Sequence, residues 1–197
     1  MNFSANRVKE PPIISPMARF YSTLEDAHRK FIAAQPVFFT ATAPKHGRIN
    51  LSPKGMDSFR VFSLHQVGYL DLTGSGNETA AHLRENARFT LMFCSFTGDP
   101  LILRLYGQGQ VVRRHDPAWP EFRSRFPELP GERQIILMNI ESVQTSCGYA
   151  VPLMKYVGER DTLSRWAAKK GPTGLFDYWR EKNLTSIDGL ETGLLED

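Results

Sequence analysis

Two short runs decide how this chain is read. Asn50-Leu51-Ser52-Pro53-Lys54-Gly55 closes an alternating apolar segment. Asp71-Leu72-Thr73-Gly74-Ser75-Gly76-Asn77-Glu78-Thr79 is where a strand pattern passes into a helix pattern. In the second run Ser75 and Glu78 have the spacing of a capping box, Ser75 as N-cap and Glu78 reaching back. Gly74 and Gly76 let backbone approach a ligand closely, and a helix start offers unpaired N–H groups and a positive dipole end. That chemistry suits a phosphate, although Gly-Ser-Gly turns also cap ordinary helices.

Outward from these runs the pattern is mainly β. Val37–Ala43 alternates and is rich in aromatic and β-branched residues. A turn at Pro44-Lys45-His46-Gly47 joins it to a strand over Arg48–Ser52. Phe59–Ser63 and His65–Thr73 read as strands, Asn77–Ala87 as a helix with Ala80, Leu83 and Ala87 inward. Arg88–Phe96 and Leu101–Arg113 then form a long pair across Thr97-Gly98-Asp99-Pro100. Gln134–Ser146 is the last long strand. About six antiparallel strands with short turns and one interrupting helix argue for a small β-barrel with peripheral helices rather than a βαβ sheet.

The flanks are helical or extended. Residues 1–20, with Pro11, Pro12 and Pro16, read as an arm that either wraps a partner subunit or stays without order. Ser22-Thr23-Leu24-Glu25 is a second capping-box pattern, opening a helix to about Gln35 with Leu24, Ala27, Phe31 and Ala34 as its apolar stripe. Asp116-Pro117 starts a short helix to about Phe126. In the C-terminal part, residues 159–197, helices over Glu159–Lys170 and Gly174–Asn183 are separated by Gly171-Pro172. Their apolar positions Leu163, Trp166, Ala167, Leu175, Tyr178 and Trp179 suit packing or a subunit surface.

Composition narrows the class. A chain of 197 residues, 41% hydrophobic and 23% charged, builds one sizeable core, so 1–197 is expected to be one domain. A net charge of +3, with its basic residues scattered among acidic ones, does not argue for nucleic acid. Cys94 and Cys147 form no metal-type pair, and two cysteines are no secreted scaffold, so a reduced, cytoplasmic setting is expected. No apolar run has signal-peptide or membrane-span length.

Few residues outside the two runs carry chemistry. Lys54 reads equally as a solvated turn lysine or as a donor to a ligand. Arg104 stands mid-strand in Leu101-Ile102-Leu103-Arg104-Leu105-Tyr106, so it needs a phosphate, a carboxylate such as Asp71, or solvent. Arg88 is a further candidate cation. Cys147 has no base in sight and reads as a small buried thiol, and His82 as an exposed or helix-packing residue. No His/Glu cluster has metal-ligand spacing, no Ser/His/Asp pattern marks a hydrolase, and no Gly-x-Gly-x-x-Gly turn opens a βαβ unit.

Taken in order, a strand, Ser52-Pro53-Lys54-Gly55, a second strand, the Gly/Ser/Thr turn and a helix ending Glu85-Asn86-Ala87-Arg88 resemble the pyridoxamine 5′-phosphate oxidase-like, FMN-binding split-barrel proteins. The resemblance is strongest over Val37–Val112 and continues through Gln144-Thr145-Ser146-Cys147-Gly148-Tyr149 and Ser186-Ile187-Asp188-Gly189-Leu190. It implies FMN, and places at the cofactor Asn50, Ser52, Pro53, Lys54 and Gly55, then Thr73, Ser75, Gly76, Asn77, Glu78 and Thr79. Arg104, Gln144, Ser146 and Cys147 complete the set. It also implies a homodimer with flavin at the interface, each site drawing on Gln144–Tyr149 of the second chain. True pyridoxamine phosphate oxidases carry a Ser-Arg-Lys run where this chain has Asn77-Glu78-Thr79, and an Arg-x-His element that its tail lacks. Pyridoxamine phosphate is therefore not the expected substrate. The family implies an FMN-dependent oxidoreductase acting on a small organic molecule. A non-catalytic protein that binds or senses flavin or haem is the alternative, and a deazaflavin the alternative cofactor.

Overall fold

The structure, a computed structural model, describes residues 18–196. Eight antiparallel strands form one sheet: β1 (Ala18–Tyr21), β2 (Phe38–Thr42), β3 (Asn50–Lys54), β4 (Phe59–Val61), β5 (Gln66–Leu72), β6 (Arg88–Cys94), β7 (Ile102–Val112) and β8 (Glu132–Ser146). The helices are α1 (Asp26–Ala33), α2 (Glu78–Glu85), α3 (Trp119–Arg123) and α4 (Thr162–Lys182). The strand order is β3-β2-β6-β7-β8-β5-β4. β7 runs along one side of β8; on the other side β5 pairs with residues 132–139 and β1 with residues 143–146.

Alternation explains the curl. In β6 every second residue points inward, and Phe89, Leu91 and Phe93 are buried. Leu103 and Leu105 of β7 and Ile136 and Met138 of β8 join them, with Leu24 and Ile32 packed at the same core. Phe38 of β2 meets Phe59 of β4 at 5.0 Å and Tyr69 of β5 at 5.5 Å, although β2 and β4 stand near opposite ends of the strand order. The sheet thus wraps around its own inner face as a split barrel. Each fully buried Leu, Ile or Phe contributes roughly 1.5–3 kcal/mol. The first half of β8 is buried on both faces, since Ile135 and Leu137 pack outward with Leu70, Val112 and Phe126 beneath α3.

The expected strands form within two residues of their predicted ends, and the addition is β1. It lies at the end of the predicted arm, where Ala18 pairs with Ser146 and Tyr21 with Val143. The rest of that arm, residues 1–17, lies outside the described residues. The first helix begins later than its capping box suggests. Glu25 is the N-cap, its amide donating to His28 Nδ1 at 3.1 Å. The buried stripe is Leu24, His28 and Ile32, while Ala27 and Ala34 are exposed. The residues from Asp116 to Ala118 form a turn before α3. Gly171 has φ 63° and breaks α4 into the two expected helical segments.

Candidate functional site

A cavity of about 780 Å³ opens where β3, the end of β5, the start of α2 and the C-terminal tail converge. Pairing of β3 with β2 turns Asn50, Ser52 and Lys54 to one side and leaves Leu51 exposed on the other. Asn50 Nδ2 donates to Thr79 Oγ1 at 3.2 Å, and Ser52 Oγ to Asn50 Oδ1 at 3.1 Å. Lys54 Nζ reaches across to Asp71 Oδ1 at 3.1 Å and lies 5.4 Å from the centre of the Tyr69 ring.

Asp71 is the hub. Its Oδ2 accepts from Arg133 Nη2 at 2.7 Å, Arg133 Nε at 3.1 Å and Gln134 Nε2 at 2.9 Å. Burial alone would raise its carboxyl, but Arg133 and then Lys54 overcome this and hold it well below the ordinary carboxylate range. The same burial, with the Asp71 charge beside it, pushes the Tyr69 phenol far above its usual value. Two cations on one buried carboxylate leave the cavity floor with an excess of positive charge.

This network also shapes the turn before α2. Arg133 Nη1 donates to Gly76 O at 3.1 Å and to Asn183 Oδ1 at 2.9 Å, and Asn183 Nδ2 donates to Gly74 O at 3.2 Å. Asn77, not Ser75, is the N-cap, and its side chain does not cap: Oδ1 accepts from Gln134 Nε2 at 2.7 Å. The Glu78 carboxylate likewise does not reach back. It accepts the Ile187 amide at 3.0 and 3.2 Å. The first-turn N–H groups of α2, which have no intrahelical partner, are therefore left uncapped by side chains at the cavity wall. Gly74 and Gly76 have no positive φ, and a Cβ on Gly74 would find only Gly76 O at 4.0 Å, while one on Gly76 would stand 3.2 Å from Glu78 Oε1.

Nine of the expected site residues line this cavity: Asn50, Ser52, Pro53, Lys54, Ser75, Gly76, Asn77, Glu78 and Thr79. Thr73 does not. It is buried, its hydroxyl donating to Gly131 O and accepting Trp179 Nε1, each at 2.8 Å. Gly55 faces a neighbouring cavity. Arg104, Gln144, Ser146 and Cys147 lie elsewhere, because alternation sends Leu103 and Leu105 into the core and Arg104 to the outer face of β7. There Arg104 Nη1 donates to Ser146 Oγ at 3.2 Å, and Gln144 Oε1 accepts the Tyr106 hydroxyl at 2.8 Å. Within the chain, Arg104 meets neither the cavity nor Asp71.

Several lining residues escape sequence reasoning. Arg133 carries the signal that drew attention to Arg104, a charge against an apolar run, but sits at the edge of the run Gln134-Ile135-Ile136-Leu137-Met138. His82, read as exposed or helix-packing, is buried. Its Nδ1 lies 3.0 Å from Thr42 Oγ1, and its Nε2 has no hydrogen-bond partner among the described residues and is 3.9 Å from Glu78 Oε2. Arg48 is bound by the tail, its amide donating to Asp188 Oδ2 at 2.7 Å and its guanidinium to Oδ1. Among the described residues no His/Cys/Asp/Glu group is placed to hold a metal ion, and no helix is long and apolar enough to cross a membrane.

The uncapped helix amides and the net positive floor form a set that fits a phosphate. Asn50, Ser52 and Lys54 offer polar contacts to a ring edge, and Ile49, Leu72 and Ile187 offer apolar cover.

The family model described as pyridoxamine 5′-phosphate oxidase matches residues 24–147. The pyridoxamine 5′-phosphate oxidase family protein ustO of Aspergillus flavus is 41% identical over 192 residues, covering 88% of this chain and 77% of that protein. Among solved structures, HupZ of Group A Streptococcus is similar over 61% of this chain and 91% of its own, at 17% identity and a TM-score of 0.48. A FAD-binding protein from Mesorhizobium loti is similar over 66% of this chain and 99% of its own, at 14% identity and a TM-score of 0.45.

Proposed function

The chain belongs to the pyridoxamine 5′-phosphate oxidase family, and from that premise we propose that it is an FMN-binding oxidoreductase acting on a small organic substrate. One observation carries this reading. Within the family's matched span, the uncapped start of α2 faces a cavity of about 780 Å³, within the range of cofactor sites, over a floor with excess positive charge. The α2 amides would hold the phosphate, and Arg133 would add positive charge while fixing the turn that presents those amides. Lys54 would donate to the ring edge and Asn50 and Ser52 would orient it. The Tyr69–Asp71–Lys54 stack would keep that lysine in one place.

When bound, FMN supplies the hydride or electron exchange; the chain supplies position, charge and exclusion of water. The substrate in this reading is not pyridoxamine phosphate, since the tail that lines the cavity presents Ser186 and Ile187 where a phosphate-gripping Arg and His are absent. The active unit is proposed to be a homodimer. Arg104, Gln144 and Ser146 lie together on the outer face of β7 and β8, outside their own chain's cavity, which supports the reading that they would serve a second chain's cavity.

The test is a titration of the full chain with FMN followed by flavin absorbance, with molecular mass measured on the same samples by light scattering. Binding with a dimer mass is expected. Lys54→Ala should weaken binding by about tenfold, since one charge-assisted hydrogen bond is worth about 1.5–3 kcal/mol and ~1.4 kcal/mol is a factor of ten. Tight binding of haem or a deazaflavin with none of FMN would overturn the cofactor. Reduced flavoprotein that reoxidises no faster than free FMN with every acceptor tried would make this a binding protein instead.

A further inference from the structure

A second cavity, of about 1140 Å³, adjoins the first and shares Pro53 and Lys54 with it. Its walls are apolar and aromatic, with Met56, Phe96, Met154, Tyr156 and Trp166 from four separate parts of the chain. The Trp166 ring is held edge-on to Tyr178 at 5.1 Å, with Lys170 Nζ 5.7 Å from its centre. The rim carries Lys155 and Arg160, which have no ion pair among the described residues. One carboxylate, Glu159, accompanies them and accepts the Tyr156 hydroxyl at 3.0 Å.

Two features set this cavity apart from a packing defect. Met56 and Asp57, directly after Lys54-Gly55, have φ of 63° and 53°, a turn for which Asn-Gly is the unstrained solution. Strain of this kind persists where surrounding structure imposes it and gathers at functional sites. The other wall, residues 147–161, is an irregular connection of a length that compact domains keep chiefly for binding loops. It is tied in place by the Met154 amide, which donates to Phe96 O at 2.9 Å. A Cβ on Gly55 would stand 3.1 Å from Pro36 O and 3.5 Å from Glu159, so glycine lets that loop close over the turn.

We propose that the second cavity is the site of the organic substrate, and that it takes a molecule with a flat aromatic body and an anionic group. Trp166, Phe96 and Met56 cover the body, Lys155 and Arg160 receive the anion, and the reacting end points toward Lys54 and the first cavity. The proposal deepens the oxidoreductase reading and rests on it for the redox partner, but the binding itself needs no flavin.

The probe is 8-anilinonaphthalene-1-sulfonate, an aromatic sulfonate, titrated into the full chain with and without FMN and excited through tryptophan. One saturable site per chain is expected, and Trp166→Ala should weaken the probe about tenfold or more, since Trp166 is the one tryptophan in this lining. Charge reversal by Lys155→Glu with Arg160→Glu, both exposed positions, should weaken the sulfonate about tenfold or more and leave neutral 1-anilinonaphthalene within about threefold. Met56→Gly, which relieves the turn, should weaken both probes without lowering the melting temperature. Affinity unchanged by Trp166→Ala, or sulfonate affinity indifferent to charge reversal, overturns the proposal. FMN absorbance on the same samples separates the two readings. Probe bound without FMN removes only the flavin reading, and FMN bound without probe removes only this one.

Discussion

At the scale of single residues, Asp71 decides more than any other side chain. It is buried with Arg133, Lys54 and Gln134 on its oxygens, so removing its charge strands two cations. Asp71→Asn should lower stability by about 3–5 kcal/mol at neutral pH, the usual result of breaking a buried pair from one side. The pH dependence has a definite sign. The folded carboxyl titrates below its ordinary value of 3.8, so its stabilisation is complete above that value and is lost as pH falls toward the folded value. Urea midpoints of wild type and Asp71→Asn should therefore keep their full separation from pH 7 down to about pH 5 and begin to narrow only as the pH falls below 3.8. Equal midpoints at pH 7 would mean that the triad contributes nothing to the fold. Asp71 was visible in the sequence as a candidate partner for Arg104. Its actual partner lies 62 residues away along the chain, across β5 and β8, and no local pattern reports such a distance.

At the scale of elements, strands were readable and caps were not, for one physical reason. Alternation in β2, β6 and β7 is written residue by residue, because one inner core receives every second side chain. Cap chemistry is local only when nothing distant competes. Ser75 and Glu78 have capping-box spacing, but Arg133 and Asn183 take the turn's carbonyls and Ile187 takes the Glu78 carboxylate. The helix consequently starts at Glu78 with its amides unclaimed by side chains. The bulge where β8 meets β7 is likewise hidden in sequence. The register with β8 slips between Tyr106 and Gly107, where a Cβ on Gly107 would collide with the Asn139 carbonyl. Gly107→Ala should cost about 1–3 kcal/mol by forcing the two strands apart. The readout is thermal unfolding, and a melting temperature equal to wild type would remove the bulge from the account.

At the scale of the whole molecule, the tail unites what the barrel leaves apart. Asn183 and Arg133 fix the turn before α2, Ile187 binds Glu78, Asp188 holds Arg48, and Trp179 reaches Thr73. The first cavity is thus built from β3, the turn between β5 and α2 and the C-terminal tail, and the second from the end of α1, β3, Phe96, the long connection before α4 and the first turns of α4. Residues of both motif runs line the first cavity, whereas the tail's contacts with Glu78 and Arg48 are not written in the sequence. Sequence order says nothing of how the C-terminal residues return to α2.

The place of β8 carries a consequence for the chain's birth on the ribosome. Without it the strand order falls into two separate sets, β3-β2-β6-β7 and β5-β4, joined by no main-chain hydrogen bond. Synthesis runs from the N-terminus, so both sets emerge before the strand that couples them, and Asp71 emerges before Arg133 can neutralise it. Assembly must wait for the last third of the sequence, with unpaired edges meanwhile open to misassociation. A fragment of residues 18–130 is accordingly expected to show neither a cooperative melting transition nor slow amide exchange, whereas in the full chain the amides of Ile135–Met138, paired on both sides, should be among the last to exchange.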